Sequence, residues 1–405
     1  MLKFPNQREG GPPAGEEGMN SKARWIRSKL WDNQLPIVVI IVILIARFYP
    51  TPGVEMRNHI PDIADICVGI LFLVSGLYLS TMEVKVVLAS WRALLLGIIL
   101  ILFVTSMLAA VMWRLPMRPR AFALGLALLA TSPTTISSGI LLTKQAGGLD
   151  SLAVILAAST NMLAIATVPV LFNELVLKHY HVDSGDVEFD VRRITLTLVY
   201  SVFAPLVVGK CLRFIRPVRD FLTKIQSFVK PFCTMLLGVL IIVEVSGSAT
   251  QLATVGGLDL AVLLVTGLGF HLVLLAMNLC ILALPGINGT VSRQLSVQKA
   301  VAIMCSQKTP AFPLTVANFL ADELTGLVVI AVIITYLVQT MTDALIASQW
   351  SQGKWLCFRY KEERANDDSD LHPAEPTMHF GEGETFDAPL LPRSMSAMAA
   401  GEQAC

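Results

Sequence analysis

Long apolar segments determine the fold of this 405-residue chain. Hydrophobic residues make up 54% of the sequence and charged residues only 15%, a balance typical of polytopic membrane proteins. A membrane-spanning helix needs about 20 mostly apolar residues. The pattern predicts an all-α membrane protein with about ten spans, at residues 35–50, 60–80, 91–113, 121–143, 149–177, 194–215, 231–250, 258–284, 298–320 and 325–347.

Two of these windows, the fourth and the ninth, are interrupted by polar residues and prolines. The first interruption is Ala130-Thr-Ser-Pro-Thr-Thr-Ile-Ser-Ser-Gly139, and the second is Cys305-Ser-Gln-Lys-Thr-Pro310. Because proline lacks an N–H group, a carbonyl about one turn earlier loses its helical donor. Inside a membrane such a carbonyl must be buried in protein or line a cavity. The sequence therefore predicts two broken helices.

The connection at residues 179–193 divides the windows into two sets of five, at residues 35–178 and 194–350. Because five is an odd number, the second set is expected to be inverted relative to the first. Interrupted segments at matching positions of inverted repeats indicate the binding site of a secondary transporter. Lysines and arginines cluster before the first span and after the last, which favours a cytoplasmic N-terminal segment (1–34) and a disordered cytoplasmic tail (351–405).

Polar residues inside the apolar windows are the candidates for binding an ion or a solute. Lys308 lies near the middle of its window, where an ammonium indicates a functional site by default; a proline kink whose lysine faces a packed bundle is the alternative. Glu244 has three interpretations: a proton carrier, the counter-ion of Lys308, or a side chain that reaches a helix end. Hydroxyls that bond their own helix are the alternative for the serines and threonines. The candidates are Ser132, Thr134, Thr135, Ser137, Ser138, Ser159, Asn161, Glu244, Ser306, Gln307, Lys308 and Thr309.

Several other classes of protein are disfavoured. The sequence contains no zincin helix, nucleophile elbow or P-loop, so it gives no support to an enzyme. Seven cysteines without paired spacing argue against a disulfide framework or a zinc site. The net charge of +1 gives no indication of a nucleic-acid partner. We expect no cofactor, and a lipid bilayer as the surrounding partner.

Three motifs resemble a known family. They are Phe72-Leu-Val-Ser-Gly-Leu77, the segment from Ser132-Pro-Thr-Thr to Lys144-Gln-Ala-Gly-Gly148, and Ser306-Gln-Lys-Thr309. In this order they resemble the bile acid:sodium symporter family (solute carrier family 10), and more narrowly its sodium/bile acid cotransporter 7 branch, over residues 22–350. The resemblance implies a panel domain of spans 1, 2, 6 and 7, a core domain of the remaining spans, and unwound helices 4 and 9 that cross.

The resemblance also implies transport of a small organic anion by alternating access at this crossover. A sodium site would lie near Ser137, Ser138 and Asn161. Where sodium-coupled relatives carry a glutamate on helix 9, this chain has Cys305 or Ser306, and Lys308 follows. We therefore expect Lys308 to substitute for a bound cation, which makes sodium coupling doubtful. The alternative is a weakly transporting or non-transporting regulator of calcium homeostasis and secretory-pathway function. The plasma membrane or the Golgi is the expected location. Whether the chain forms a homo-oligomer stays open.

Overall fold

The computed structural model describes residues 34–60, 62–78, 90–179, 191–284, 287, 294–320 and 322–353. Almost all of the predicted N-terminal segment, linker and tail lies outside these residues. Every regular element in the described part is a helix. The helices are α1 (Gln34–Phe48), α2 (Thr51–His59), α3 (Ile63–Tyr78), α4 (Trp91–Met112), α5 (Arg120–Thr131), α6 (Ser137–Gln145), α7 (Asp150–Leu177), α8 (Val191–Arg213), α9 (Arg216–Gly247), α10 (Ala249–Thr254), α11 (Gly257–Ala283), α12 (Leu295–Ser306), α13 (Ala311–Ala317) and α14 (Asp322–Ser351).

Five of the described helices, α4, α7, α8, α11 and α14, are long and apolar enough to cross a membrane. A sixth span results if α2 and α3, which meet at 85°, count as one. Shorter apolar helices are α5 and the Pro231–Gly247 part of α9. The prediction of an all-α, multi-pass membrane protein is confirmed. The count of ten spans and the inverted repeats stay predictions.

The interior of the bundle is formed by α5, α12 and α14. Every residue of α5 after Arg120 is buried, and so is every residue of α12 from Val297 onward. A helix that is apolar on all sides belongs in the interior of a large protein. In α14, 67% of the apolar window is buried, against 33–44% in the other long helices. The two interrupted helices are thus enclosed by protein.

Small residues let these helices approach closely. A Cβ atom on Gly125 of α5 would lie 2.7 Å from the Val328 carbonyl and from the Ala331 side chain of α14. On the other side of the bundle, a Cβ atom on Gly209 of α8 would collide with the Leu73 carbonyl of α3. Close backbone approach of this kind is typical of helix packing in membranes. The contact at Gly125 packs α5, which ends at the first interruption, against α14.

Candidate functional site

The first interruption separates α5 from α6 and extends from Ser132 to Ile136. Its helix ends because Pro133 has no N–H group to donate. The hydroxyls of Thr131 and Ser132 both donate to the Leu128 carbonyl, at 2.8 and 3.0 Å. These hydroxyls therefore bond their own helix. What the end of α5 presents to the rest of the protein is backbone carbonyl groups.

The second interruption separates α12 from α13 and extends from Gln307 to Pro310. Ser306 resembles Ser132, because its hydroxyl donates to the Ala302 carbonyl of its own helix at 2.9 Å. The Thr309 N–H donates to the Pro133 carbonyl at 2.9 Å. This hydrogen bond joins the two interruptions directly. We call the unwound residues 132–136 and 307–310 together the crossover.

Lys308 extends its side chain into the crossover and is fully buried. Its ammonium donates to the Ile101 carbonyl at 2.9 Å, to the Thr105 hydroxyl at 2.7 Å and to the Ser132 carbonyl at 2.8 Å. An ammonium has three N–H donors. All three are satisfied, and none of the acceptors in this part of the chain is a carboxylate. Glu244 is therefore not the hydrogen-bonded counter-ion of Lys308 in this structure.

The acceptors of Lys308 carry concentrated negative partial charge. Ser132 follows directly after the C-terminus of α5, where the helix dipole favours a cation. Ile101 and Thr105 lie where α4 departs from regular α-helical geometry, in a π turn followed by a 3₁₀ turn. Such local departures are frequent at functional sites. The end of α5 and this part of α4 therefore form a cage of oxygen atoms, and the lysine ammonium fills it.

The last helix, α14, holds the unwound segment from the opposite side. Gln339 accepts from the Lys308 N–H at 3.3 Å and donates to the Lys308 carbonyl at 2.5 Å. One turn later, the Asp343 carboxylate accepts from the Gln307 side chain at 2.6 Å and from the His271 ring of α11 at 2.9 Å. Gln307, Gln339, Asp343 and His271 are all at most 1% exposed. One face of α14 thus fixes two successive unwound residues.

The remaining hydroxyls of the first interruption and Asn161 form a second polar group. The Thr135 hydroxyl accepts from the Gly139 N–H at 2.7 Å and lies 2.7 Å from the Ser138 hydroxyl. The Asn161 amide donates to the Thr134 carbonyl at 2.9 Å. Thr134 is fully buried, and its hydroxyl has no hydrogen-bond partner in the described part of the chain. This group carries the oxygen atoms that could hold a small cation, and its occupation by sodium stays a prediction.

Two candidates remain, Ser159 and Ser137. Ser159 is half-buried on α7, and no hydrogen bond of its side chain to the crossover is seen within the described residues. Ser137 begins α6, and its side chain lies outside the described part. A role of these two residues in binding stays a prediction.

Glu244 lies in a separate polar cavity of about 260 Å³. After rotation of its amide, Asn318 donates to both oxygen atoms of the Glu244 carboxylate at 3.1 Å. Asn318 lies just beyond α13, so the cavity is roughly 10 Å from the crossover at about 1.5 Å per helical residue. The cavity is lined by Arg57, Asp62, Ala64, Asp65, Arg193, Thr197, Val243, Glu244, Asn318 and Phe319. Two guanidinium groups and three carboxyl groups, of Asp62, Asp65 and Glu244, thus share this cavity.

Sequence reasoning missed several residues of this arrangement. Asp343 is an ionisable residue inside an apolar window, which is a signal in its own right, and Gln339 stands one turn before it. Thr105 is an ordinary intramembrane hydroxyl, which the sequence does not distinguish from its neighbours. The Ile101 carbonyl is backbone, and no side-chain pattern could have identified it.

Comparison with known proteins adds the family. The SBF-like CPA transporter family matches residues 33–352 of the chain. A rice protein named probable sodium/metabolite cotransporter BASS4, chloroplastic (Oryza sativa subsp. japonica) is 30% identical over 330 residues, which cover 79% of this chain and 76% of that protein. The putative symporter YfeH of Escherichia coli is 26% identical over 327 residues (78% and 92%). The zebrafish (Danio rerio) sodium/bile acid cotransporter 7 is 29% identical over 198 residues (45% and 54%).

Proposed function

Because the chain belongs to the SBF-like CPA transporter family, we propose that it is a secondary transporter that moves a small organic anion by alternating access at the crossover. Family membership makes it a transporter and not an enzyme, and its solute is a small molecule. The names of its relatives mention sodium, metabolites and bile acids. We propose ten spans in two inverted five-helix repeats as the framework, and the plasma membrane or the Golgi as the location.

The observation that carries this function is the direct contact between two interrupted helices in the interior. The Thr309 N–H bonds the Pro133 carbonyl, and Lys308 bonds the Ser132 carbonyl. Unwound backbone at membrane depth is tolerated where protein encloses it or where it lines a cavity, and in transporters such segments form the binding site. A purely structural bundle would not need two such segments in contact.

Lys308 acts as a resident cation in this proposal. Its ammonium occupies a cage of two carbonyls and one hydroxyl at 2.7–2.9 Å, at the negative end of α5. A sodium ion at the same place would have to overcome the repulsion of the ammonium charge, which is strong in a medium of low dielectric constant. Transport should therefore not require sodium at this position. A separate sodium site near Ser137, Ser138 and Asn161 is the alternative that the same experiments test.

The anionic group of the solute first meets the cavity that contains Arg57 and Arg193. Lys308 is poorly suited to this first encounter, because its three donors are already used and its side chain is fully buried. The cavity is polar and lies next to the end of α13. A guanidinium can bind a carboxylate through two parallel hydrogen bonds. We propose that these arginines bind the anionic group before the solute reaches the crossover, in competition with the carboxylates of Asp62, Asp65 and Glu244 in the same cavity.

Counterflow in proteoliposomes tests the function. The purified full chain would be tested with labelled taurocholate, succinate, glutamate and acetate, with and without sodium. We expect saturable exchange of at least one probe that persists when potassium replaces sodium. Arg193→Gln should lower exchange by about tenfold through lost anion binding, whereas the adjacent Arg192→Gln is the control. Absence of saturable exchange for a broad set of probes would contradict a transporter and favour the membrane-regulator alternative.

A further inference from the structure

The interior contains a titratable pair that the proposed function does not use. His271 and Asp343 are at most 1% exposed, and the ring Nε2 lies 2.9 Å from the carboxylate Oδ1. A carboxylate can only accept, so Nε2 carries the proton and donates it. The ring Nδ1 is then an acceptor, and it has no hydrogen-bond partner in the described part of the chain. A buried, unpartnered basic nitrogen beside a carboxylate is a place where a proton can bind.

We propose that His271 and Asp343 form a proton-binding site that couples solute movement to a proton gradient, an inference that rests on the proposed function. The pair binds one proton from the water on one side of the membrane and releases it to the other. Its net charge changes from −1, as imidazole and carboxylate, to zero.

Gln307 connects this pair to the crossover. Its amide donates to the second oxygen of the Asp343 carboxylate at 2.6 Å. Hydrogen bonds to an ionised acceptor are about twice as strong as neutral ones. A proton on Nδ1 leaves the carboxylate ionised but makes its partner ring an imidazolium, which competes for the carboxylate charge and so weakens the hold on Gln307. Gln339, one turn earlier on α14, bonds the backbone of Lys308 through neutral groups only. One anchor of the unwound segment is thus sensitive to protonation and the other is not.

Other charges near the pair do not replace it. Neither His271 nor Asp343 bonds any further titratable group in the described part of the chain. Lys308 shares its neighbourhood but bonds carbonyls of α4 and the end of α5. The titratable or charged residues with described side chains on α11 and on the elements packed against α11 and α14 are Arg120, Lys144, Arg216, Arg219, Asp220, Lys224, Cys233, Glu244, Asp259, Cys280, Lys299, Cys305, Lys308 and Tyr336.

Asp343→Asn is the variant that tests the site. An asparagine can still accept from His271, and it can donate to a rotated Gln307 amide, so the contacts can be kept while the titratable carboxyl is lost. Should it fail to fold, His271→Gln serves in its place, because glutamine keeps a donor for Asp343. The surface variant His59→Gln is the matched control, since His59 is exposed and bonds only the Glu55 carbonyl.

The experiment compares two fluxes in the same proteoliposomes, with the probe that shows counterflow. Wild-type protein should accumulate the probe when a pH gradient is imposed without sodium. The ratio of gradient-driven uptake to counterflow should fall by about tenfold in Asp343→Asn, a typical size for coupling between two sites, and should be partly restored in Asp343→Glu. His59→Gln should keep the wild-type ratio.

Three results would overturn the proton site. Wild-type protein that shows counterflow but does not accumulate the probe under the pH gradient would overturn it and leave the proposed function intact. An unchanged ratio in both Asp343→Asn and His271→Gln would do the same. Absence of counterflow for every probe would overturn the proposed function and this coupling with it.

Discussion

The two interruptions resemble each other in sequence but differ in what they offer to the rest of the protein. At the first, the hydroxyls of Thr131 and Ser132 bond the Leu128 carbonyl of their own helix, and the free groups are backbone carbonyls. At the second, the side chains of Gln307 and Lys308 leave their own helix and bond α14, α4 and the first interruption. The first therefore supplies acceptors and the second supplies donors.

Because of this difference, the two interruptions should respond differently to side-chain substitution. Backbone acceptors at the first interruption survive most side-chain substitutions, because every residue except proline carries the same peptide group and even proline keeps its carbonyl. The donors at the second are side chains, and a single substitution removes them. Changes at the second interruption should accordingly cost much more stability than changes at the first.

Lys308→Met should produce the largest effect. It removes the donor to the Ser132 carbonyl and to the Thr105 hydroxyl oxygen, whereas the Ile101 carbonyl keeps the Thr105 hydroxyl as a donor. At ~1–3 kcal/mol for each unsatisfied group we expect a loss of about 2–4 kcal/mol in unfolding free energy. Unfolding of the purified protein in detergent measures this loss. Lys144→Met, at an exposed position of α6, is the control. A loss below about 1 kcal/mol would show that the oxygen atoms of the cage find other hydrogen-bond donors.

Gln339→Leu should have the next largest effect. The substitution removes the partner of both the N–H and the carbonyl of Lys308, which are buried, and we expect a loss of about 2–3 kcal/mol. The neighbouring Thr340→Val is the control, because the Thr340 hydroxyl bonds the Tyr336 carbonyl of its own helix. Equal losses in the two variants would contradict the role of Gln339 as an anchor.

Thr135→Val and Thr134→Val should change stability differently, although both lie in the first interruption. Thr135 caps the Gly139 N–H at the start of α6, so its substitution should cost about 1 kcal/mol. Thr134 has a buried hydroxyl without a partner in the described part, so Thr134→Val should leave stability unchanged or raise it slightly. If Thr134→Val nevertheless lowers counterflow, its hydroxyl binds an ion or the solute. Identical stability losses in both variants would argue against the capping role.

Ser132→Ala should also have a small effect, within about 0.5 kcal/mol. Only its hydroxyl is removed, and that hydroxyl bonds the Leu128 carbonyl, which also accepts from Thr131. The Ser132 carbonyl that binds Lys308 remains in place. Differential thermal melting against wild type measures the change. A large loss would mean that the first interruption depends on its side chains after all, which would remove the contrast with the second.

Local signals in the sequence predicted the helical fold and the positions of both breaks. Hydropathy identifies the spans, and prolines at 133 and 310 end the ladders close to where α5 and α12 stop. The partners of Lys308 could not be predicted, because they are largely backbone groups brought together over some 200 residues. The expectation that Glu244 pairs with Lys308 was one of three interpretations, and the structure instead gives Glu244 a contact with Asn318. Asp343 could have been predicted as a functional residue, because it is ionisable and lies inside an apolar window.

The central claim is that Lys308 occupies the position of a bound cation. The melting temperature of the purified wild-type protein in sodium and in potassium, at matched ionic strength, tests it most directly, since an ion that binds only the folded state raises this temperature by mass action. The account predicts equal melting temperatures in the two salts for the wild type. A sodium-specific rise that saturates with concentration and persists in Asn161→Ala would contradict it, because the sodium would then not lie in the polar group of Ser138 and Asn161.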